Sequence, residues 1–234
     1  HETGGDIRKA GRLGGKLDGI HAHDDNRHCD LPPRARSMNH LAHALLAGDD
    51  EQLQLGGMLG DFLHGRAEAM QLPTPVIDGI RLHRAIDVYT DAHPEVLAAK
   101  ALLPPPYRRY AGIMLDMWFD HCLARDFPRW SAQPLDHYSA ALRALLHRQD
   151  SLLPPALRRF RGYMDVHGLP AGYADRATLG HALTGIGQRL SRANPLDSAL
   201  PVLVQHDAAL QLRFEAFFPQ LQGFARAWVA GRVE

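Results

Sequence analysis

The sequence predicts an all-α protein: a single helical domain of about eight helices. Three observations lead there. Apolar residues recur at three- and four-residue spacing over long segments, as at Leu53, Leu55, Met58, Leu59, Phe62 and Leu63. Prolines punctuate the gaps between those segments, at Pro73 and Pro75, Pro94, Pro104-Pro105-Pro106 and Pro154-Pro155. Nowhere does a period-two alternation run between turn residues, so no strand is expected.

The elements follow in order. Residues 1–37 are rich in glycine and charge and hold no lasting apolar period, so they cannot bury enough surface to offset their ordering entropy. They read as a flexible leader, or as a non-native extension ahead of Met38, and the domain is expected over 38–234. The cluster His21, His23, Asp24, Asp25, His28 and Cys29 falls inside that leader and is not taken as a site. A short helix over 39–47 ends at Gly48-Asp49-Asp50, and a second covers 53–63. Gly56, Gly57 and Gly60 weaken that second helix in isolation, by roughly 1 kcal/mol each relative to alanine, but admit another backbone or a ligand at close range. Pro73 and Pro75 open a third helix that runs to Asp91. Asp91-Ala92-His93-Pro94 breaks it, and Asp91, the better N-cap type of the two, or His93 caps the next helix to about Leu102. After the triple proline comes the longest strong helix, 107–125. Amphipathic segments over 135–146 and 156–166 follow, then 173–190, and a long C-terminal helix over 197–230, bent near Pro201 and Pro219.

Composition bounds the function. The 234 residues suffice for one well-buried core. Net charge is zero, which removes any bulk electrostatic case for nucleic acid or an anionic membrane surface as partner. No apolar run reaches the roughly 18–20 residues of a membrane span, and the first residues lack a signal peptide's apolar core, so the cytoplasm is the expected compartment. Cys29 and Cys122 belong to no C-x-x-C pair and read as free thiols. Histidine is the outlier, at fifteen residues against 26 acidic ones. Phosphate-loop, dinucleotide, zincin and serine-elbow motifs are all missing.

The remaining chemistry is histidine and aspartate on helices. His83 and Asp87 stand one turn apart and share a helix face, with Arg81 and Arg84 beside them. A solvated i,i+4 pair, or an Arg84–Asp87 pair, is the plain alternative. Asp116, Asp120 and His121 sit inside a nearly continuous apolar run, where carboxylates are rarely left unpaired. Asp61 is a third acidic candidate; His43, on an apolar helix, reads rather as a satisfied core histidine. Oxygen-rich ligands with some imidazole suit Mn²⁺, Mg²⁺ or Fe²⁺ and hydrolysis of a phosphoryl group.

Four ordered blocks then carry a resemblance: Met38-Asn39-x-Leu41-Ala42-His43, Gly57-x-x-x-Asp61-Phe62, His83-Arg84-x-Ile86-Asp87-x-x-Thr90-Asp91 and Asp116-x-x-x-Asp120-His121-x-Leu123. Together with Arg213-Phe214 and Phe218-Pro219 they resemble the acyl carrier protein phosphodiesterase family, over nearly all of 38–234. The resemblance implies a helical fold related to HD-domain phosphohydrolases and a divalent metal, most readily Mn²⁺. It implies hydrolysis of the phosphodiester that joins 4′-phosphopantetheine to a serine of holo acyl carrier protein. Asp61, His83, Arg84 and Asp87 are the implied catalytic residues. Asp61, His83, Asp87, Asp116, Asp120 and His121 are the implied metal ligands. This sequence departs from the family at Met58, often Asn there, and at His40, a position often apolar; its Asp120-His121 order also reverses the pair that names the HD group. The acidic carrier calls for a basic patch, for which Arg108, Arg109, Arg158, Arg159 and Arg161 are candidates. A different HD-type phosphohydrolase acting on a nucleotide or alarmone, and a non-catalytic helical binding protein, are the alternatives.

Overall fold

The computed structural model describes residues 39–66 and 71–231; the expected leader lies outside them. The described residues hold ten α-helices and no strand: α1 (His40–Leu46), α2 (Glu51–Leu59), α3 (Thr74–Ala92), α4 (Pro94–Leu102), α5 (Ala111–Arg125), α6 (Leu135–Arg148), α7 (Pro155–His167), α8 (Arg176–Arg189), α9 (Ala199–Gln205) and α10 (Asp207–Ala230). The all-α class holds. The nine segments laid out from the sequence become ten helices because the expected C-terminal helix is two: the chain turns at His206, and Pro201 lies in the first turn of α9, where a proline's missing N–H costs nothing. Pro219 is tolerated inside α10. Single 3₁₀ turns at Tyr107–Tyr110 and Ala171–Ala174 delay the starts of α5 and α8.

Local chemistry sets the ends. Asp50 accepts from the Gln52 and Leu53 N–H groups and caps α2; Asp175 accepts from Thr178 N–H and caps α8. His93, not Asp91, caps α4: its Nδ1 accepts from Glu95 N–H at 3.2 Å, while Asp91 is drawn off to Lys100 at 2.9 Å.

Helix α5 is the spine. Ile113, Met114, Leu115, Met117, Trp118, Phe119, Cys122 and Leu123 are all buried, and α1, α4, α8, α9 and α10 pack around them. Phe214, Phe217 and Phe218 of α10 close that core with Phe119 and Trp130. The most extensive helix pairing is α2 with α3. Its crossing point is glycine on glycine: a Cβ on Gly56 would stand 2.3 Å from the Val76 carbonyl oxygen, and one on Gly79 2.4 Å from that of Leu53. The glycines of α2 thus admit a backbone, that of α3, and the approach brings His83 onto the end of α2.

Candidate metal centre

Three helices and one turn converge where α1, α2 and α3 meet. His43 comes from α1, and His83 and Asp87 from successive turns of α3. Asp61 comes from the turn after α2, which ends at Leu59, sooner than the apolar pattern suggested. His83 Nε2 lies 3.3 Å from Asp87 Oδ2 and 3.4 Å from Asp61 Oδ1; His43 Nε2 lies 3.2 Å from Asp87 Oδ1. The two imidazoles stack with centroids 3.8 Å apart. Both histidines are buried, Asp61 mostly so, and Asp87, at 35% exposure, opens the cluster to solvent.

The orientation of His83 is fixed from behind. Its Nδ1–H donates to the Gly57 carbonyl at 2.9 Å, in the last turn of α2, where carbonyls lack helical partners. With Nδ1 holding that proton, Nε2 is the nitrogen turned to the carboxylates. Burial works against a charged His83 ring, but Asp61 and Asp87 outweigh it and raise its pKa to about 10. Burial likewise works against the Asp87 carboxylate, and His43 and His83 outweigh it, holding Asp87 well below the usual range. Burial, reinforced by His83, lowers His43, and burial lowers His40 to about 4.

Such an arrangement fits a divalent cation. One donor atom each from His43, His83 and Asp87 lies within 4.8 Å of the others, the span of ligands around a single ion. Two imidazoles and two carboxylates supply the charge and the mixed nitrogen and oxygen donors that such ions accept.

The acyl carrier protein phosphodiesterase family model matches residues 38–221. Proteins named acyl carrier protein phosphodiesterase are 31% identical over 188 residues in Photorhabdus laumondii, covering 79% of this chain and 93% of that protein. The Serratia proteamaculans protein of that name is 31% identical over 190 residues, 81% of this chain and 98% of its own. That of Escherichia coli O157:H7 is 33% identical over 189 residues, 80% and 97%. The chain belongs to the acyl carrier protein phosphodiesterase family. No solved structure matches it.

Within this family member, the structure sorts the six residues that the resemblance offered as ligands. Asp61, His83 and Asp87 stand together. Asp116, on α5, makes no hydrogen bond or ion pair among the described residues; burial and then the charges of Asp87, Asp91 and Asp61 push its carboxyl well above the usual range. Asp120 and His121 are turned elsewhere. Asp120 accepts from Leu41 N–H at 2.9 Å and Ala42 N–H at 3.0 Å, capping the first turn of α1 from across the core. Burial outweighs those two bonds and raises its pKa to about 8. His121 donates Nδ1–H to the Tyr173 carbonyl at 2.8 Å. Arg84 reaches the Leu63 carbonyl at 3.4 Å, beside the Asp61 turn.

His43, which the sequence suggested as a satisfied core histidine, stands in the candidate cluster with His83 and Asp87. Its signal was the first family block, where it closes Met38-Asn39-x-Leu41-Ala42-His43. Of the arginines put forward for a basic patch, Arg108 binds the carbonyls of Ala101 and Leu103, and Arg158 and Arg161 bind Asp150. Arg109 and Arg159 are exposed and have no ion-pair partner among the described residues. No helix of the described residues is long and apolar enough to cross a membrane.

Proposed function

We propose that this protein hydrolyses the phosphodiester between 4′-phosphopantetheine and a serine of holo acyl carrier protein, using a divalent cation, most readily Mn²⁺. The observation that carries this reading is the His43–His83–Asp87 cluster with Asp61 at its edge, in a chain of this family. Water adds to phosphorus, the bond from phosphorus to the serine oxygen breaks, and that oxygen takes a proton. Apo carrier and free 4′-phosphopantetheine result.

A cation held by His43, His83, Asp87 and Asp61 supplies a lowered pKa for water and a counter-charge for the phosphoryl oxygens. The chain's own residues prepare the rest. Gly57 fixes the His83 tautomer. Asp87, the most open member, marks the face from which substrate enters. Arg84, next to His83 in sequence, is the residue we assign to offer its guanidinium to a phosphodiester oxygen. Asp116, unpartnered among the described residues, is retained as a candidate ligand. Asp120 is not, because both its oxygens accept from α1. His121 is not, because its Nδ1 is bonded to Tyr173 and the charges that act on its ring are those of Arg125, Arg176 and Asp207 rather than the cluster's. Arg109 and Arg159 are the basic side chains left to meet an acidic carrier. We take 38–234 as the catalytic unit and the cytoplasm as its location.

The test is to incubate the full chain with holo acyl carrier protein and Mn²⁺ and weigh the carrier by mass spectrometry. Loss of the whole prosthetic group supports the reading. An unchanged carrier mass with metal-loaded protein overturns it, and a nucleotide panel then separates a nucleotide phosphohydrolase from a binding protein.

A further inference from the structure

Helix α1 carries a second histidine one turn before His43. His40 is 2% exposed, and neither of its ring nitrogens has a hydrogen-bond partner. Its Nδ1 stands 3.6 Å from Asp61 Oδ2, an oxygen that is also buried and without a hydrogen bond. The other oxygen, Oδ1, faces His83 Nε2 at 3.4 Å. Asp61 is therefore held between two imidazoles, one inside the cluster of candidate ligands and one outside it. Phe160, with its ring centroid 4.6 Å from that of His40, and Phe62, at 6.1 Å, hem in the outer one.

A buried imidazole among phenylalanines is costly unless its polar atoms are used. A phenyl ring would fill this space with no such cost. Among the described residues the ion-pair partner of Nδ1 is Asp61 Oδ2, and a shift of roughly half an ångström brings the pair to hydrogen-bond distance. We propose that His40 is a positioning residue for Asp61: its Nδ1–H holds Oδ2 and so presents Oδ1 to the cation centre. Carboxylates that ligate metals are commonly held this way by an outer partner, and losing the partner typically weakens metal affinity about 10–100-fold. The inference rests on the metal reading of the cluster.

The experiment measures Mn²⁺ affinity of the full chain by competition with a chromophoric chelator, in wild type, His40→Phe and His40→Asn. His40→Phe keeps the ring shape and removes the donor; His40→Asn restores an amide N–H at about the reach of Nδ1. His40→Leu serves as the donor-free variant if the phenylalanine does not fold, judged by metal-free circular dichroism melting. The expected result is affinity about 10–100-fold weaker in the donor-free variant and near wild type in His40→Asn. Wild-type affinity in the donor-free variant overturns the role of His40 alone. So does an equal loss in both variants, which would mark a packing effect. A wild-type chain that binds no Mn²⁺ overturns the centre itself, and the role of His40 with it.

Discussion

The ring of His83 lies directly on the backbone of Gly60: a Cβ built there would stand 2.3 Å from His83 Cγ and 2.7 Å from Nδ1. No real Cβ makes such contacts, and the ring cannot retreat, because Nδ1 is bonded to Gly57 and Nε2 faces two carboxylates.

Gly60→Ala should therefore act on the centre through His83. The methyl group pushes the imidazole off Gly57 and away from Asp61 and Asp87. We expect loss of Mn²⁺ affinity by at least about tenfold and a destabilisation on the order of 1–3 kcal/mol from overpacking. Chelator competition and urea denaturation measure the two. An alanine variant that binds Mn²⁺ like wild type would show that the ring has room that this structure does not give it.

How far the sequence anticipates this depends on the range of each interaction. His83 and Asp87 are legible because their partnership is local: one helical turn sets it. Asp61 is legible only through its family block, since a carboxylate at the end of a glycine-rich segment has no local signature. The partners of His43 and Asp120 are not legible for a shared reason. Both look like polar residues in apolar surroundings, and the sequence does not say which distant element each one meets. Asp120 meets the α1 backbone, some 79 residues away. The break at His206 is equally non-local in its consequence: it puts Asp207 in the first turn of α10, where its carboxylate meets Arg125 and Arg176.

Stability of the metal-free chain should depend on pH through His83. Its folded pKa, about 10, lies above the ordinary imidazole value of 6.5. A raised imidazole pKa stabilises the fold fully below the unfolded value, and the contribution is lost as pH rises through the folded one. In chelator, wild type should lose melting temperature between about pH 6.5 and 10 more steeply than His83→Gln, which has no such proton to lose. Parallel slopes in the two proteins would contradict the charged His83 between Asp61 and Asp87.

Asp120 should prove a structural carboxylate. Asp120→Ala strips two buried N–H groups of α1 of their acceptors, and we expect a loss on the order of 2 kcal/mol in urea denaturation. Asp120→Asn keeps one acceptor oxygen and should cost less. It should also leave Mn²⁺ affinity close to wild type, since α1 and its His43 stay in place. A large loss of affinity in Asp120→Asn, with the fold intact, would return Asp120 to the ligand set.

Asp61 should show the opposite balance. Its carboxylate follows the C-terminus of α2, the negative end of the helix dipole, and its Oδ2 is buried without a hydrogen bond. Neither feature favours folding, so the residue stands where a stability argument would not put it. His83 retains Asp87 as partner when Asp61 is removed. Asp61→Ala removes one of the two carboxylates that face the charged His83, so it should lower metal-free stability by only about 1–2 kcal/mol, yet abolish release of 4′-phosphopantetheine from the carrier. Urea denaturation and carrier mass spectrometry on the same preparation check both halves. A folded Asp61→Ala protein that still strips the carrier would remove Asp61 from the catalytic centre.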